Sequence, residues 1–207
     1  MAMTTMDFEA PASEAEVQAL ADRLRERNFE VVIVQNGQEA KSAVMERLPE
    51  GASVHSGKSK TLEDAGVFEE LMNSDRYDFL RRRTNQMDRA TQRDEIRRLT
   101  SSPDVMLGSA HAVTKAGQIV ITSASGSQIG PIASGAGKLV LVIGSQKIVP
   151  DLDTAFRRIE EHVFPWEDAR LREAMNIGTK ITRTLILDRD FMPGRTTIIL
   201  VREPIGI

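Results

Sequence analysis

The 207-residue sequence contains no cysteine and few aromatic residues. The absence of cysteine excludes disulfides, a thiol nucleophile and a thiolate metal site in this chain. Seven phenylalanines, one tyrosine and one tryptophan are too few to build a base-stacking surface. The 27 basic and 30 acidic side chains give a net charge of −3, so the overall electrostatics also argue against nucleic acid as a partner.

Long apolar runs are also missing, since none approaches the roughly 20 residues needed to cross a bilayer. The amino-terminal residues have no basic start followed by an apolar core, so no secretory signal is predicted. We expect a cytoplasmic protein with no membrane contact. Residues 1–12 are predicted to be a flexible leader, and residues 13–207 a single domain. The three histidines have no metal-binding spacing, so no metal site is predicted.

The region from Pro103 to Ile148 contains three apolar runs that are rich in branched side chains and separated by small or polar residues. These runs are Val105–Leu107, Ile119–Ile121 and Leu139–Ile143. Runs this continuous predict strands that are buried on both faces. Helical and strand patterns alternate along the first half of the chain, which predicts an α/β fold with a mostly parallel sheet covered by helices. Thr182–Leu187 and Thr196–Val201 are predicted to form a C-terminal edge hairpin.

Further helices are predicted in addition to those near the amino terminus, the last of them from about Glu167 to Asn176. Leu62–Met72 follows a short strand, Asp88–Leu99 is rich in arginine, and a clear amphipathic helix begins at Leu152 and is interrupted at Pro165. Three arginines of the second of these helices, Arg89, Arg93 and Arg97, are spaced by four residues and would lie on one face of it. That face is either solvated and balanced by acidic neighbours, or a surface for an anionic ligand or a partner subunit.

The segment Ser56–Thr61 lies between a predicted strand and a predicted helix. In parallel sheets, ligands bind at the carboxyl ends of strands and against helix N-termini, so the backbone N–H groups here would attract an anion. The alternative is a plain turn in which Ser59 or Thr61 caps the helix. A P-loop is excluded, because Ala52 stands where that motif requires its first glycine. The sequence Gly-Ala-Gly-Lys at 135–138 precedes a strand, so it is not a dinucleotide-binding fingerprint either.

A second polar loop follows the strand Val105–Leu107 and contains Ser109, His111 and Thr114. A histidine at a strand end is a candidate general acid–base. Because no aspartate partner is evident, the alternative is a hydrogen-bonded loop residue without a catalytic role.

Four segments in the same order resemble the motifs of a known family. They are Ser56–Leu62 with Gly66, Asp104–Thr114 with Gly117, Val142–Val149, and Arg195–Gly206. Each is weak alone, but together they resemble the LUD-domain family, the lactate-utilization proteins that include the small third subunit of the bacterial lactate-oxidation system. The resemblance implies a fold similar to ribose-5-phosphate isomerase, glucosamine-6-phosphate deaminase and coenzyme A transferases.

The resemblance also implies a role in converting L-lactate to pyruvate, with iron–sulfur clusters only in partner subunits and no cofactor in this chain. We expect a small anionic metabolite to bind where the lysines of the first loop neutralise it and nearby hydroxyls donate hydrogen bonds. The expected ligand-binding residues are Gly57, Lys58, Ser59, Lys60, Thr61, Ser109, Thr114 and Lys147, and His111 is the candidate catalytic residue that would shuttle a proton.

The chain departs from the family pattern at two positions. His111 stands where the family often has asparagine, and Gln128 stands where it has an arginine, so one fixed positive charge is lost. Two alternatives therefore stay open. One is a stand-alone isomerase or acyl/CoA-transfer enzyme acting on a phosphorylated or thioester substrate, and the other is a non-catalytic assembly subunit. Whether the chain is an enzyme, and whether it forms a homo-oligomer, also stay open.

Overall fold

The computed structural model describes residues 6–207, which form two β-sheets and the helices that cover them. Strands β1 to β10 are Glu30–Val34, Ser53–Ser56, Asp78–Phe79, Val105–Gly108, Ala112–Thr114, Ile119–Ser123, Lys138–Gly144, Ile148–Val149, Arg183–Leu187 and Thr196–Val201. Helices α1 to α8 are Glu14–Arg25, Gly37–Met45, Lys60–Asp64, Val67–Asn73, Leu80–Thr84, Arg93–Ser101, Leu152–Arg158 and Phe164–Met175. Shorter π-helical turns span Pro131–Gly135 and Ile159–Val163, and a 3-10 turn spans Ser145–Lys147.

The main sheet has six strands in the order β1-β10-β7-β4-β2-β3, and all neighbouring pairs are parallel. Successive side chains of a strand point to opposite faces, and here both faces are buried. Leu107 and Val140 pack on the face covered by α2 and α4, whereas Met106 and Leu141 pack on the face covered by α1. This two-sided burial explains the continuous apolar runs and confirms the predicted α/β fold with a mostly parallel, helix-covered sheet.

The second sheet has four strands in the order β8-β5-β6-β9, with parallel and antiparallel pairs. Val113 and Ile119 point towards the main sheet and share its core. Ala112 and Val120 point the other way and pack with Ala155 of α7. The second sheet is therefore a layer between the main sheet and α7, which explains why the run Ile119–Ile121 is also buried on both sides.

The predicted C-terminal edge hairpin is wrong, because β9 and β10 belong to different sheets. β9 pairs with β6 at the edge of the second sheet, and β10 lies between β1 and β7 inside the main sheet. All six residues of β10 are buried, whereas β9 has an exposed and half-buried pattern. A strand buried along its whole length fits an interior position in a parallel sheet.

The helix boundaries differ from the predicted ones at three places. Leu62–Met72 is divided by Gly66, whose φ of +73° ends α3 and starts α4 in a conformation that favours glycine. The arginine-rich helix starts at Arg93, so Arg89 lies outside it. Helical backbone continues past Pro165, because the π-turn leads directly into α8 and the proline lies in the first turn of that helix.

The predicted flexible leader lies partly outside the described residues, since residues 1–5 are not included. The rest of it contacts the domain. Phe8 is buried, its ring centroid lies 6.2 Å from that of His162, and its carbonyl oxygen accepts a hydrogen bond of 3.3 Å from Arg158.

Because β10 is buried and β9 lies at a sheet edge, an isoleucine-to-alanine substitution should lower the free energy of unfolding by different amounts in the two strands. Ile199 of β10 is fully buried, and Ile199→Ala should lower the free energy of unfolding by about 2–5 kcal/mol, because it leaves a cavity in the core. Ile186 of β9 is 38% exposed, and Ile186→Ala should cost roughly 1 kcal/mol or less. Chemical denaturation of both variants measures the difference. Equal costs would contradict the interior position of β10.

Candidate functional site

The loops that follow three neighbouring strands of the main sheet meet at one edge. β7, β4 and β2 are adjacent, and their carboxyl ends lead into Ser145–Lys147, Ser109–His111 and Gly57–Ser59. These loops line a cavity of about 290 Å³. Its other side is formed by the π-helical turn Ile159–Val163, by α8 and by residues 179–181. The position agrees with the general rule that ligands bind at the carboxyl ends of parallel strands.

Eight of the nine residues predicted for the site line this cavity. They are Gly57, Lys58, Ser59, Lys60, Thr61, Ser109, His111 and Lys147. Thr114 does not line it. Thr114 is buried in β5, where its Oγ1 accepts a hydrogen bond of 3.1 Å from the backbone N–H of Gln118. The structure thus brings together the residues of three predicted segments, and their roles towards a ligand stay predictions.

Lys147 lines the cavity and is 2% exposed. Its Nζ donates hydrogen bonds to Thr61 Oγ1 at 2.8 Å and to Ser109 Oγ at 3.1 Å. Thr61 Oγ1 in turn donates to Ser109 Oγ at 3.2 Å. The lysine follows β7, the threonine follows β2 and the serine follows β4, so the fold itself assembles this cluster of three residues.

Lys147 has no carboxylate partner among residues 6–207, since none of the salt bridges there includes it. Its pKa is lowered to about 7, first by burial and then by the positive charge of Arg158, against an opposing effect of Asp64. The amine is therefore close to half-protonated at neutral pH, which is unusual for a lysine.

Arg158 of α7 is a second buried cation, and the sequence did not point to it. It is fully buried, and its guanidinium donates to the carbonyl oxygens of His111 at 2.6 Å and Phe8 at 3.3 Å. Its Nε has no hydrogen-bond partner, and it makes no salt bridge within the described part of the chain. Burial lowers its pKa to about 10, so it stays charged at neutral pH. The region behind the cavity wall therefore carries a permanent positive charge.

His111 is held as a neutral ring. Its Nδ1 accepts a hydrogen bond of 3.0 Å from the backbone N–H of Thr122, so the ring proton of the neutral form is on Nε2. The pKa of His111 is lowered to about 3 by burial and by the charges of Lys147 and Arg158. At neutral pH the ring can donate a hydrogen bond but is a poor proton shuttle, which favours the interpretation of His111 as a hydrogen-bonded loop residue.

Lys58 and Lys60 lie at the rim of the cavity and are already paired with acidic residues. Lys58 Nζ lies 3.1 Å from Glu63 Oε1, and Lys60 is ion-paired with Asp64. Both side chains are substantially exposed. Ser59 caps α3, because its Oγ accepts a hydrogen bond of 3.4 Å from the N–H of Leu62. Of the three lysines predicted here, the buried Lys147 is the one with the least compensated charge.

Gln128 occupies the position of the missing family arginine and also lines the cavity. Its side-chain amide donates to the carbonyl oxygen of Thr122 at 3.3 Å. A Cβ atom at position 57 would lie 2.5 Å from Gln128 Oε1, so a larger residue there would require the end of the glutamine side chain to move. The glutamine side chain therefore lies close against the first loop.

The far wall of the cavity was not predicted from the sequence. Trp166 and Glu167 of α8 and residues 179–181 contribute to it. The burial of Arg158 could have been suspected from one feature of the sequence. Arg158 follows Ala155 by three positions and therefore lies next to the apolar face of an amphipathic helix. Trp166, Glu167 and residues 179–181 of the far wall belong to a helix and a loop without buried residues or recognisable motifs.

Among residues 6–207, the His, Asp and Glu side chains form no group of three or more that could hold a metal ion. Every helix there is too short or too polar to cross a membrane.

The low pKa of Lys147 predicts a pH dependence of stability. Between about 7 and the ordinary value of 10.5, the unfolded chain holds this proton more tightly than the folded chain, so the free energy of unfolding should rise with pH across this window. Lys147→Met should lack that rise. Urea denaturation of both proteins at several pH values measures the free energy of unfolding. In the difference between the two proteins, the contributions of the other titratable groups cancel. Parallel curves for the two proteins would contradict the buried, depressed amine.

Comparisons with known proteins agree with this architecture. The model of the LUD domain family matches residues 17–201. A solved structure of a DUF162 family protein from Deinococcus radiodurans is similar in fold, with a TM-score of 0.51 at 14% identity, covering 92% of this chain and 99% of that chain. A search of curated proteins gives no match. Because the family match covers most of the described sequence, the chain belongs to the LUD domain family, which is associated in general with lactate utilization.

Proposed function

We propose that the cavity binds a small organic anion and that the chain acts in cytoplasmic lactate utilization, with L-lactate or pyruvate as the ligand. The observation that carries the proposal is the buried Lys147, which lines the cavity without a carboxylate partner among the described residues. The general role comes from the family, and the cavity supplies a chemical reason for a carboxylate ligand.

The electrostatic argument begins with the cost of burial. A buried cation without a partner is expensive, and the usual remedies are loss of the proton or an opposite charge nearby. Lys147 shows the first remedy in its lowered pKa, and Arg158 maintains positive charge behind it. An anion in the cavity provides the second remedy, because its charge would stabilise the ammonium form.

The hydrogen-bonding argument points the same way. An ammonium group has three donors, and Thr61 and Ser109 accept two of them. The third is left for a ligand in the cavity that Lys147 lines. His111 offers a neutral N–H donor from the same wall. A cavity of about 290 Å³ is at the lower end of the usual range for ligand pockets, which suits a small metabolite.

The proposal assigns the redox step to partner subunits. Oxidation of a 2-hydroxy acid to a 2-oxo acid removes two electrons, and a chain without cysteine has no thiolates to ligate an iron–sulfur cluster. Under this proposal the present chain holds the substrate or product anion, and partner subunits with iron–sulfur clusters accept the electrons.

A second candidate function is acyl transfer. Ser109 Oγ lies 3.1 Å from Lys147 Nζ, and a lysine with a pKa near 7 can serve as a general base for a serine nucleophile. Reaction with an activated ester, followed by mass analysis of Ser109, tests this alternative. Slow hydrolysis with no acyl adduct on Ser109 would argue against it.

The anion proposal predicts unequal effects of two lysine substitutions. Lys147→Met should weaken binding of L-lactate or pyruvate by roughly 10- to 100-fold, because a charge-assisted hydrogen bond contributes about 1.5–3 kcal/mol. Lys58→Met should weaken it by less than about fivefold, because an exposed and already paired lysine contributes under about 1 kcal/mol. Isothermal titration calorimetry measures both affinities.

Thermal unfolding of each variant serves as the folding control for this comparison. Ser109→Ala provides a second test of the same wall if Lys147→Met lowers the melting temperature strongly. Failure of both acids to bind the wild-type protein would contradict the proposal, and so would a larger loss in Lys58→Met than in Lys147→Met.

A further inference from the structure

The neutral form of Lys147 has a defined orientation. A neutral amine has two N–H donors and one lone pair, and Thr61 and Ser109 are within hydrogen-bond distance of Nζ at 2.8 and 3.1 Å. If these hydroxyls accept the two N–H bonds, the lone pair takes the side of the nitrogen that they leave open. Lys147 lines the cavity, so that side is where a ligand would sit. This is the arrangement that a nucleophilic amine requires.

We propose that Lys147 forms a reversible imine with the carbonyl group of a 2-oxo acid bound in the cavity. The inference rests on the proposed function of the same cavity as an anion site, and it adds a covalent step and a narrower ligand class. A 2-hydroxy acid has no carbonyl carbon to attack, so it could bind only through hydrogen bonds and charge.

Three features favour Lys147 over the other lysines at the cavity. It is buried, it lacks a carboxylate partner within residues 6–207, and the nearby charge of Arg158 favours loss of its proton. Lys58 and Lys60 are instead substantially exposed at the rim of the cavity, and each is ion-paired with a carboxylate, Glu63 or Asp64.

Ser109 is less suited to be the nucleophile in the geometry observed. Its Oγ receives hydrogen bonds from Thr61 and Lys147, and it donates to the carbonyl oxygen of Ala110 at 3.3 Å. Both lone pairs and the proton of the hydroxyl are thus engaged. This arrangement makes Ser109 an acceptor that orients the amine.

The proposed step balances without an oxidant or a reductant. The Nζ lone pair attacks the carbonyl carbon to form a carbinolamine, in which a new C–N bond replaces the C=O π bond. The carbinolamine then loses its oxygen with two protons as water, and a C=N bond remains. Thr61 and Ser109, which contact Nζ, are placed to relay these protons. Hydrolysis reverses the sequence and releases the 2-oxo acid.

The imine can be trapped by reduction. The wild-type protein is incubated briefly with pyruvate and sodium cyanoborohydride, and peptides are then mapped by mass spectrometry. We expect the main adduct on the peptide containing Lys147, with a mass increase equal to that of the keto acid less one oxygen atom. L-lactate in place of pyruvate should give no adduct, and excess L-lactate added with pyruvate should slow the labelling.

Lys147→Arg is the matched variant, because it keeps the positive charge but cannot form this imine. The adduct should be lost in it, and circular dichroism checks that it is folded. Labelling spread over exposed lysines with none at Lys147 would overturn the inference, as would unchanged labelling in Lys147→Arg. If calorimetry shows pyruvate binding but Lys147 is not trapped, the imine is wrong and the anion site stands. If neither acid binds, the proposed function fails as well.

Discussion

Lys147 is buried at the place where loops from three neighbouring parallel strands meet, and the site depends on how its amine is accommodated. Two hydroxyls, one from each of the adjacent loops, accept its hydrogen bonds, and no carboxylate in the described part of the chain neutralises it. A buried amine in this situation either gives up its proton or recruits an anion. Both responses are chemically useful, since the first produces a nucleophile and the second a binding site.

The two-sided burial of the main sheet makes this arrangement possible. Because the strands are parallel and helices cover both faces, the carboxyl ends of β2, β4 and β7 are fixed beside one another within a rigid core. The second sheet and α7 then place Arg158 behind the cavity, where it holds the backbone of His111 and adds positive charge. The scaffold therefore sets both the position and the electrostatics of Lys147.

The sequence predicted much of this because the informative signals are local. Continuous apolar runs identified the central strands, and the polar residues after one of these runs identified the loop with Ser109. The loop with Thr61 was identified as a polar segment between a short predicted strand and a predicted helix. Lys147 came from the family resemblance. The rest depends on tertiary packing. Whether β10 pairs with β9 or inserts between β1 and β7 is decided by distant partners, and Arg158 is separated from His111 by 47 residues in the chain.

The structure also changes which of the predicted lysines is expected to matter most for an anion. Lys58 and Lys60 stood out in the sequence because they lie in the polar segment between a strand and a helix, yet each is paired with an acidic residue of α3. The buried Lys147 matters more for the site than these two exposed lysines. An unpaired charge destabilises the fold more strongly the less water reaches it. Sequence patterns report which charges are present, but burial cannot be read from them at single positions.

The most direct test of the account is an NMR titration of protein carrying ¹³C-labelled lysine, with Lys147→Arg used to assign the resonance. The account predicts that Lys147 titrates near pH 7 in the free protein and that its pKa rises when L-lactate is added, because a bound anion stabilises the ammonium form. A pKa near the ordinary 10.5, or a pKa near 7 that does not change with the anion, would contradict the claim that this lysine organises an anion site.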